Sequence, residues 1–108
     1  MAAYKLIALT NCLEGHETEF NTWYDNTHVR EARTVPGVIS SARYEIAGRL
    51  GVSGVAENPG YEYVAIYDVE TDDPQAFMAT MEEFVAAGKI ARGTLYRPPM
   101  WVALYKAR

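Results

Sequence analysis

The chain has 108 residues, of which 49% are hydrophobic and 22% are charged, and its formal net charge is −4. This length predicts one domain over residues 1–108, built around one core. The acidic balance argues against a nucleic-acid partner, because phosphate binding needs a basic surface. No apolar run approaches the roughly 18 residues of a membrane span, so we expect no membrane contact. The single cysteine, Cys12, excludes an internal disulfide and is typical of a cytoplasmic protein.

Strand-forming and helix-forming segments alternate in the first half of the chain. The apolar run 4–10 predicts a first strand. The helix after it extends to about Ala32, and Pro36-Gly37 prevents its continuation. Segment 38–46 is rich in β-forming residues and predicts a second strand.

The second half opens with a loop and then repeats the alternation. Residues 47–60 are rich in glycine and predict a mobile loop of about fourteen residues, long enough to be functional. The alternation over 61–69 predicts a third strand that is covered on both faces. Asp73-Pro74 predicts the start of a second helix and Gly88 its end. An irregular segment then precedes the last strand, 101–106.

This order predicts an α+β fold, the ferredoxin-like βαββαβ arrangement of a four-stranded antiparallel sheet with two helices on one face. The other face would be bare, although the third strand gives it Val64 and Ile66. A second copy packed sheet to sheet is the simplest way to cover such a face. We therefore expect a homodimer through the sheet face.

The helical stretch from Trp23 to His28 holds the best candidates for chemistry. At 100° per residue, Tyr24 and His28 fall on one apolar side of the helix. His28 could act as general acid or base, because free histidine exchanges its proton near neutral pH. Tyr24 and Glu31 each lie about one turn away and could orient the imidazole. The alternative is a histidine that caps carbonyls or packs against the sheet.

Four further residues are weaker candidates. Tyr63 and Tyr67 share a strand face, where their phenols could hold an enolate or phenolate oxygen, although tyrosine is also common in strands for packing alone. Tyr96 and the 47–60 loop could close the mouth of a pocket. Arg43 could pair with a substrate carboxylate, but a surface or dimer contact is the preferred interpretation.

Metal, nucleotide and thiol chemistry have little support in the sequence. Two histidines twelve residues apart make a poor ligand set, and no glycine-rich phosphate loop leads into a helix. We therefore expect neither a metal nor a cofactor. Asp25 points away from His28 around the helix and is interpreted as solvated, and Cys12 as incidental.

The motif Trp23-Tyr-x-x-x-His28, followed by Pro36-Gly37-Val38, resembles the dimeric α+β barrel superfamily, in particular its small EthD-like and polyketide-cyclase-like members. The resemblance covers nearly the whole chain in element order and length. It implies a pocket between the first helix and the sheet for a small, often aromatic or polyketide-like molecule. The lining residues it implies are Phe20, Trp23, Tyr24, Ile7, Leu9, Tyr63, Ala65 and Tyr67. The plant polyketide cyclase of this superfamily has a catalytic histidine in its second half, and this chain has none after His28.

Residues and resemblance together predict a cofactor-independent lyase, cyclase or isomerase that acts on a small hydrophobic or aromatic carbonyl substrate. His28 would be the acid/base, and Tyr24, Tyr63 or Tyr67 would donate a hydrogen bond to the developing oxyanion. An apolar helix wall would exclude water. Two alternatives stay open: a cofactor-less monooxygenase of quinol-like substrates, and a ligand-binding auxiliary protein without turnover.

Overall fold

In the computed structural model, which describes residues 2–54 and 60–108, four strands form an antiparallel sheet. The strands are β1 (Ala2–Thr10), β2 (Val38–Glu45), β3 (Tyr63–Thr71) and β4 (Trp101–Lys106). They lie in the order β2-β3-β1-β4, so β1 pairs with β3 on one side and β4 on the other.

Two helical runs connect the strands. Helix α1 (Glu17–Trp23) continues through a π-helical turn (Tyr24–His28), here the π turn, into α2 (Val29–Ala32). Helix α3 (Pro74–Ala86) begins after Asp73, whose carboxylate accepts a hydrogen bond from the Ala76 N–H at 3.0 Å. Among the described residues no helix is long and apolar enough to cross a membrane. This arrangement confirms the predicted α+β, ferredoxin-like fold.

Strand β4 has the predicted ends, β2 ends one residue earlier than predicted, β1 begins two residues earlier, and β3 begins and ends two residues later. Strand β3 begins at Tyr63 because the Asn11 side chain forms hydrogen bonds with the backbone just before it. Asn11 Nδ2 donates to the Gly60 carbonyl at 3.2 Å, and its Oδ1 accepts from the Glu62 N–H at 2.9 Å. Of the predicted 47–60 loop, residues 55–59 lie outside the described residues, and 47–54 contain neither helix nor strand.

The turn into β2 depends on one glycine. Gly37 has φ +102°, in the left-handed region that favours glycine. A Cβ at this position would lie 2.9 Å from the Glu70 carbonyl oxygen, and the Gly37 carbonyl accepts the Glu70 N–H. The Pro36-Gly37 break therefore ends the helical run and also brings β2 against β3.

The core lies between the helices and the inner face of the sheet. Alternate residues of β1 and β3 point inward, and Phe20 is fully buried beneath the helical run. The alternation predicted for the third strand is confirmed. The most deeply buried large side chains are Tyr24, Phe20, Leu6, Val35, Val69 and Thr10.

The centre of the outer face of the sheet is apolar, and Lys5, Asp68 and Ser40 form a polar cluster beside it on the same face. Strand pairing places Ile7 beside Ile66 and Leu9 beside Val64 on this face. At its flanks, large aromatic side chains are about half exposed: Tyr44 at 57%, Trp101 at 52% and Tyr105 at 48%. The described helices pack on the opposite face, so these side chains meet solvent.

Candidate functional site

A cavity of about 630 Å³ lies between the inner face of the sheet, the helices and the segment 89–100 that precedes β4. Sites for small molecules are typically about 300–1,000 Å³. The walls are mainly apolar, with contributions from β1, α3 and segment 89–100 such as Leu6, Ala8, Met78, Met81, Val85 and Ile90. The charged lining residues, Glu82 and Arg92, are exposed. The cavity therefore suits a small, largely apolar molecule.

Four of the predicted site residues line this cavity together: Tyr24, His28, Tyr67 and Tyr96. They come from the π turn, from β3 and from segment 89–100, so they meet only in the folded chain. Each carries a titratable polar group into an otherwise mainly apolar wall. The cavity thus has a polar cluster that contains both proton donors and a proton acceptor.

The imidazole of His28 is packed among aromatic rings. Its centroid is 4.8 Å from that of Tyr24 and 5.0 Å from that of Trp23. Its Nδ1 is buried and has no hydrogen-bond partner among the described residues. Burial lowers the pKa of His28 below its ordinary value of 6.5; Glu31 and the Ala91 backbone oppose this, and the Arg43 charge adds to it. The imidazole is therefore neutral at neutral pH and can accept a proton.

The π turn sets the geometry of the Tyr24 and His28 rings. The Val29 N–H donates to the carbonyl of Tyr24, five residues earlier instead of the four of an α-helix. π turns are rare and occur often at functional sites. The two rings contact each other edge to face, with an angle of 71° between their planes. The spacing of four correctly predicted that both residues face the same side, but not that the turn between them is widened.

Burial raises the pKa of the Tyr24, Tyr67 and Tyr96 phenols above its ordinary value. All three are thus protonated at neutral pH and can donate hydrogen bonds. Tyr24 adjoins each of the other two closely enough to influence their ionisation. The buried Oη of Tyr67 has no hydrogen-bond partner of adequate geometry among the described residues.

Ile7 and Leu9, two of the residues that the resemblance implied for the pocket, lie on the outer face of the sheet instead. Successive side chains of a strand point to opposite faces. Since Leu6 and Ala8 line the cavity, their neighbours in β1 cannot. The prediction for Ile7 and Leu9 is therefore corrected: they belong to the apolar centre of the outer face, next to Ile66.

Phe20, Trp23 and Tyr63 support the cavity wall from behind. The Phe20 ring lies 5.2 Å from Tyr63 and 5.4 Å from Tyr96, and Trp23 lies 5.7 Å from Tyr96. The Tyr63 phenol is occupied by a hydrogen bond from Asn21 Nδ2 at 3.2 Å. The expected ligand contact of these three residues, and of buried Ala65, is corrected to packing behind the wall.

The backbone around Tyr96 is tied to the end of β1. Tyr96 forms an antiparallel bridge with Cys12, the Leu13 N–H donates to the Leu95 carbonyl at 2.8 Å, and the Arg97 N–H donates to the Asn11 carbonyl at 2.9 Å. These contacts fix the backbone on both sides of Tyr96, and the gating role of its side chain stays a prediction. Residues 47–54 do not line the cavity.

Arg43 is the residue whose position the sequence did not reveal. Its side chain is only 13% exposed and lies against the helical run, 4.1 Å from the Tyr24 ring centroid. Its guanidinium donates to Asp25 Oδ1 at 2.8 Å and to Asn21 Oδ1 at 3.0 Å. The surface or dimer-contact interpretation is therefore wrong, and Asp25, though exposed, is ion-paired. The pairing of Arg43 with Ala65 on the inner face could have indicated this.

Glu31 anchors segment 89–100 and does not orient His28 by a hydrogen bond. Its Oε1 accepts the Ala91 N–H at 3.0 Å, beside the imidazole. Cys12 is buried, which raises the pKa of its thiol, and it donates to the Leu13 carbonyl. Among the described residues no group of three histidine, cysteine or acidic side chains is placed to hold a metal ion.

No family model and no curated protein matches the chain, but solved structures do. A proposed monooxygenase from Shewanella loihica PV-4 superposes with a TM-score of 0.61 at 15% identity, over 99% of this chain and 95% of that one. An EthD family protein from Bacillus halodurans C-125 superposes with a TM-score of 0.52 at 19% identity, over 98% of this chain and 99% of that one. A dimeric ferredoxin-like protein of unknown function from Thermobifida fusca YX superposes with a TM-score of 0.54 at 14% identity, over 98% of this chain and 92% of that one.

At these identities the likeness shows the fold and not the reaction. The chain has a ferredoxin-like fold, as its resemblance around Trp23 and His28 predicted, and it shares this fold with the solved structures above. Its neighbours in this fold include monooxygenase-like and EthD-like proteins.

Proposed function

We propose that this chain is a cofactor-independent enzyme that moves a proton on a small hydrophobic or aromatic carbonyl compound bound in the cavity. The observation that carries this proposal is a pair of buried polar atoms among the described residues: His28 Nδ1 has no hydrogen-bond partner, and Tyr67 Oη has none of adequate geometry, although the Tyr24 phenol lies beside it. Leaving such atoms unpaired is unfavourable, and native proteins rarely do so. Because both residues line a mainly apolar cavity, a ligand with polar atoms at one end would pair them.

His28 serves as the acid/base in this proposal. Its neutral imidazole takes a proton from the carbon next to the carbonyl, and the electron pair of the broken C–H bond moves onto the carbonyl oxygen. The Tyr67 phenol donates a hydrogen bond to the resulting enolate, with Tyr24 and Tyr96 as neighbouring donors. Returning the proton elsewhere gives an isomerase, and loss of a leaving group or ring closure gives a lyase or cyclase.

A second candidate is oxidation of a quinol-like substrate by dioxygen without a cofactor. The Shewanella loihica neighbour, a proposed monooxygenase, favours it. His28 would again begin the reaction, here by taking the proton of a hydroxyl group and leaving an electron-rich phenolate. Dioxygen would be the oxidant, so oxygen uptake distinguishes this candidate from the first.

We also propose that two copies pair through the outer face of the sheet, around Ile66 and Leu9. The part of this face around these residues is apolar, and its flanking aromatic side chains are about half exposed. One neighbour of the same fold is a dimeric protein. Contiguous apolar patches of this kind commonly mark protein interfaces.

A ligand screen followed by turnover assays tests the enzyme proposal. Small aromatic and polyketide-like compounds are added to wild type, His28→Asn and His16→Asn, and thermal unfolding is recorded. A ligand at about 100 times its Kd stabilises the fold by roughly 2.7 kcal/mol. We expect hits to stabilise all three proteins, and His28→Asn to lower turnover by about 10²–10⁴-fold, as loss of a general base does.

His16→Asn is the matched control, because His16 is exposed and paired with Glu19 at the helix start. It should leave turnover unchanged. Equal turnover by wild type and His28→Asn would contradict the assigned role. If all three proteins bind a ligand and none of them, wild type included, converts it, the ligand-binding alternative is favoured. If none binds any compound, a ligand site in the cavity is contradicted.

A further inference from the structure

The guanidinium of Arg43 is fixed by contacts on several sides. Asn21 and Asp25 each accept a hydrogen bond from its terminal nitrogens, and the Tyr24 ring lies under Cζ at 4.1 Å. Phe20 and Tyr63 lie farther out, at 5.7 Å and 5.5 Å from Cζ. The buried Nε has no partner among the described residues. The residue therefore cannot swing toward solvent without losing an ion pair and a cation–π contact.

This fixed cation lies close to the reacting groups of the proposed function. Tyr24 contacts Arg43 through its ring face and His28 through an edge-to-face contact at 4.8 Å. These two contacts place the guanidinium carbon within about 9 Å of the imidazole centroid, a range at which charges in a protein interior still interact. Asp25, its counter-charge, is 58% exposed and so better screened by water.

Arg43 does not line the cavity, so it is not a binding group for a substrate carboxylate. Its effect must pass through Tyr24 and through the electrostatic field. A fixed positive charge favours negative charge that develops beside the phenols, and it disfavours a second positive charge on His28. The first effect assists proton removal by stabilising the oxyanion. The second keeps the free imidazole unprotonated, although it opposes the imidazolium that forms when His28 takes the proton.

We propose that Arg43 is a positioning residue of the candidate site: held by Asn21 and Asp25 across the face of Tyr24, it fixes the Tyr24 phenol in the cavity wall and supplies the positive charge that favours an oxyanion there. The inference rests on the proposed function and assigns its electrostatic partner. The Asn21–Asp25–Arg43–Tyr24 contacts form a chain from the helix surface to the cavity.

Any test that uses the titration of His28 must account for the other groups around it. The same helical run contributes Glu31 and Tyr24, and β2 contributes Arg43. The remaining titratable groups of the cavity wall come from β3, α3 and segment 89–100: Tyr67, Glu82, Arg92 and Tyr96. These groups are unchanged in variants of Arg43 and Asp25, so they act equally in each protein.

The first measurement is an NMR titration of the imidazoles in the ligand-free protein. The chain has only two histidines, so exposed His16 is an internal reference and His16→Asn assigns the signals. The series compares wild type with Arg43→Lys, Arg43→Met and Asp25→Asn. We expect Arg43→Met to raise the pKa of His28 while Arg43→Lys, which keeps the charge, changes it less. Asp25→Asn, which removes the counter-charge, should lower it.

Opposite shifts in Arg43→Met and Asp25→Asn are the decisive outcome, since general loosening of the fold would move both in one direction. Equal His28 shifts in Arg43→Lys and Arg43→Met, or no shift in either, would overturn the electrostatic role. If Arg43→Met does not fold, the comparison of Asp25→Asn with wild type decides: a downward shift supports the role and an unchanged titration overturns it.

The second measurement detects an oxyanion directly, with 4-nitrophenol as the probe because its phenolate and phenol differ in colour. We expect bound probe to ionise at lower pH in wild type and Arg43→Lys than in Arg43→Met. Identical ionisation in all three would overturn the proposed oxyanion effect of Arg43. Failure of the probe to bind wild type would count against the cavity as a ligand site, while the ligand-free titration still decides the role of Arg43.

Discussion

At His28, the burial that keeps the imidazole available as a base also makes the folded protein sensitive to acid. At acidic pH, the folded chain must either hold a desolvated imidazolium or unfold. Burial lowers the pKa of His28 in the folded state below 6.5, the value it has in the unfolded chain. Between the two values the unfolded chain binds more protons, so the free energy of unfolding rises with pH up to about 6.5 and levels off above it.

We therefore predict that His28→Asn flattens the pH dependence of stability in this window. The measurement is the free energy of unfolding in urea between about pH 5 and pH 8. His16→Asn is the control and should keep the wild-type slope, since His16 is exposed. A slope in His28→Asn equal to that of wild type would mean that the imidazole is solvated in the folded state.

At the scale of elements, segment 89–100 closes the cavity and docks through specific contacts. The Ala91 N–H is held by Glu31, and Tyr96 is bridged to Cys12. Gly93 fits between two rings: a Cβ there would lie 2.6 Å from Trp23 Cη2 and 2.7 Å from Tyr96 Cε2. The absence of a side chain at Gly93 is thus what lets the segment approach the helix.

We predict that Gly93→Ala destabilises the fold by about 1–3 kcal/mol, the usual penalty for inserting a methyl group into a packed site. It should also displace the Trp23 ring. Chemical denaturation followed by tryptophan fluorescence measures the loss of stability. Gly51→Ala is the control, because a Cβ at Gly51 meets nothing within 4 Å. Equal stability of Gly93→Ala and wild type would indicate that the rings yield without strain.

Local patterns in the sequence were enough to predict the elements. Alternation predicted β3, and the Asp73-Pro74 start of α3 was confirmed, because both depend on neighbouring residues. Pro36-Gly37 likewise separated the helical run from β2. The shifted start of β3 arises from residues distant in sequence, because the Asn11 side chain accepts a hydrogen bond from the Glu62 backbone N–H there.

The candidate site was only partly predictable for the same reason. Tyr24 and His28 share a helix face by spacing, so their meeting at one cavity followed from a local rule. The burial of Arg43 depends on how β2 packs under the helical run, which no local pattern reports. Ile7 and Leu9 were misassigned because one-residue alternation decides the strand face, and their pairing with β3 was unknown.

At the scale of the whole molecule, the outer face of the sheet is the surface through which we propose that two copies pair. Ile66 lies on β3, one of the two central strands, and it pairs with Ile7 on the other central strand, β1. Covering this face with a second copy would remove large apolar side chains from water at about 25 cal/mol per Å². The same face left open would favour aggregation.

We predict that wild type is a dimer and that Ile66→Glu converts it to a monomer, because two carboxylates would then be buried near the symmetry axis. Analytical ultracentrifugation measures the mass. Ala79→Glu, which adds the same charge to the exposed side of α3, should remain dimeric. A monomeric wild type, or an Ile66→Glu dimer, would contradict pairing through this face.

The π turn makes the site unusually dependent on the length of the chain. A π turn holds roughly one residue more than an α turn, so a helix here can lose one residue between Tyr24 and His28 and remain a continuous helix. The loss would turn the π turn into an α turn, so Val29 and later residues would keep their side of the helix while the spacing between Tyr24 and His28 would fall from four residues to three. A single-codon deletion would thus keep the helix continuous and change how the Tyr24 and His28 rings meet. Relatives that differ by one residue in this helix should therefore be expected to differ in the contact between these two rings.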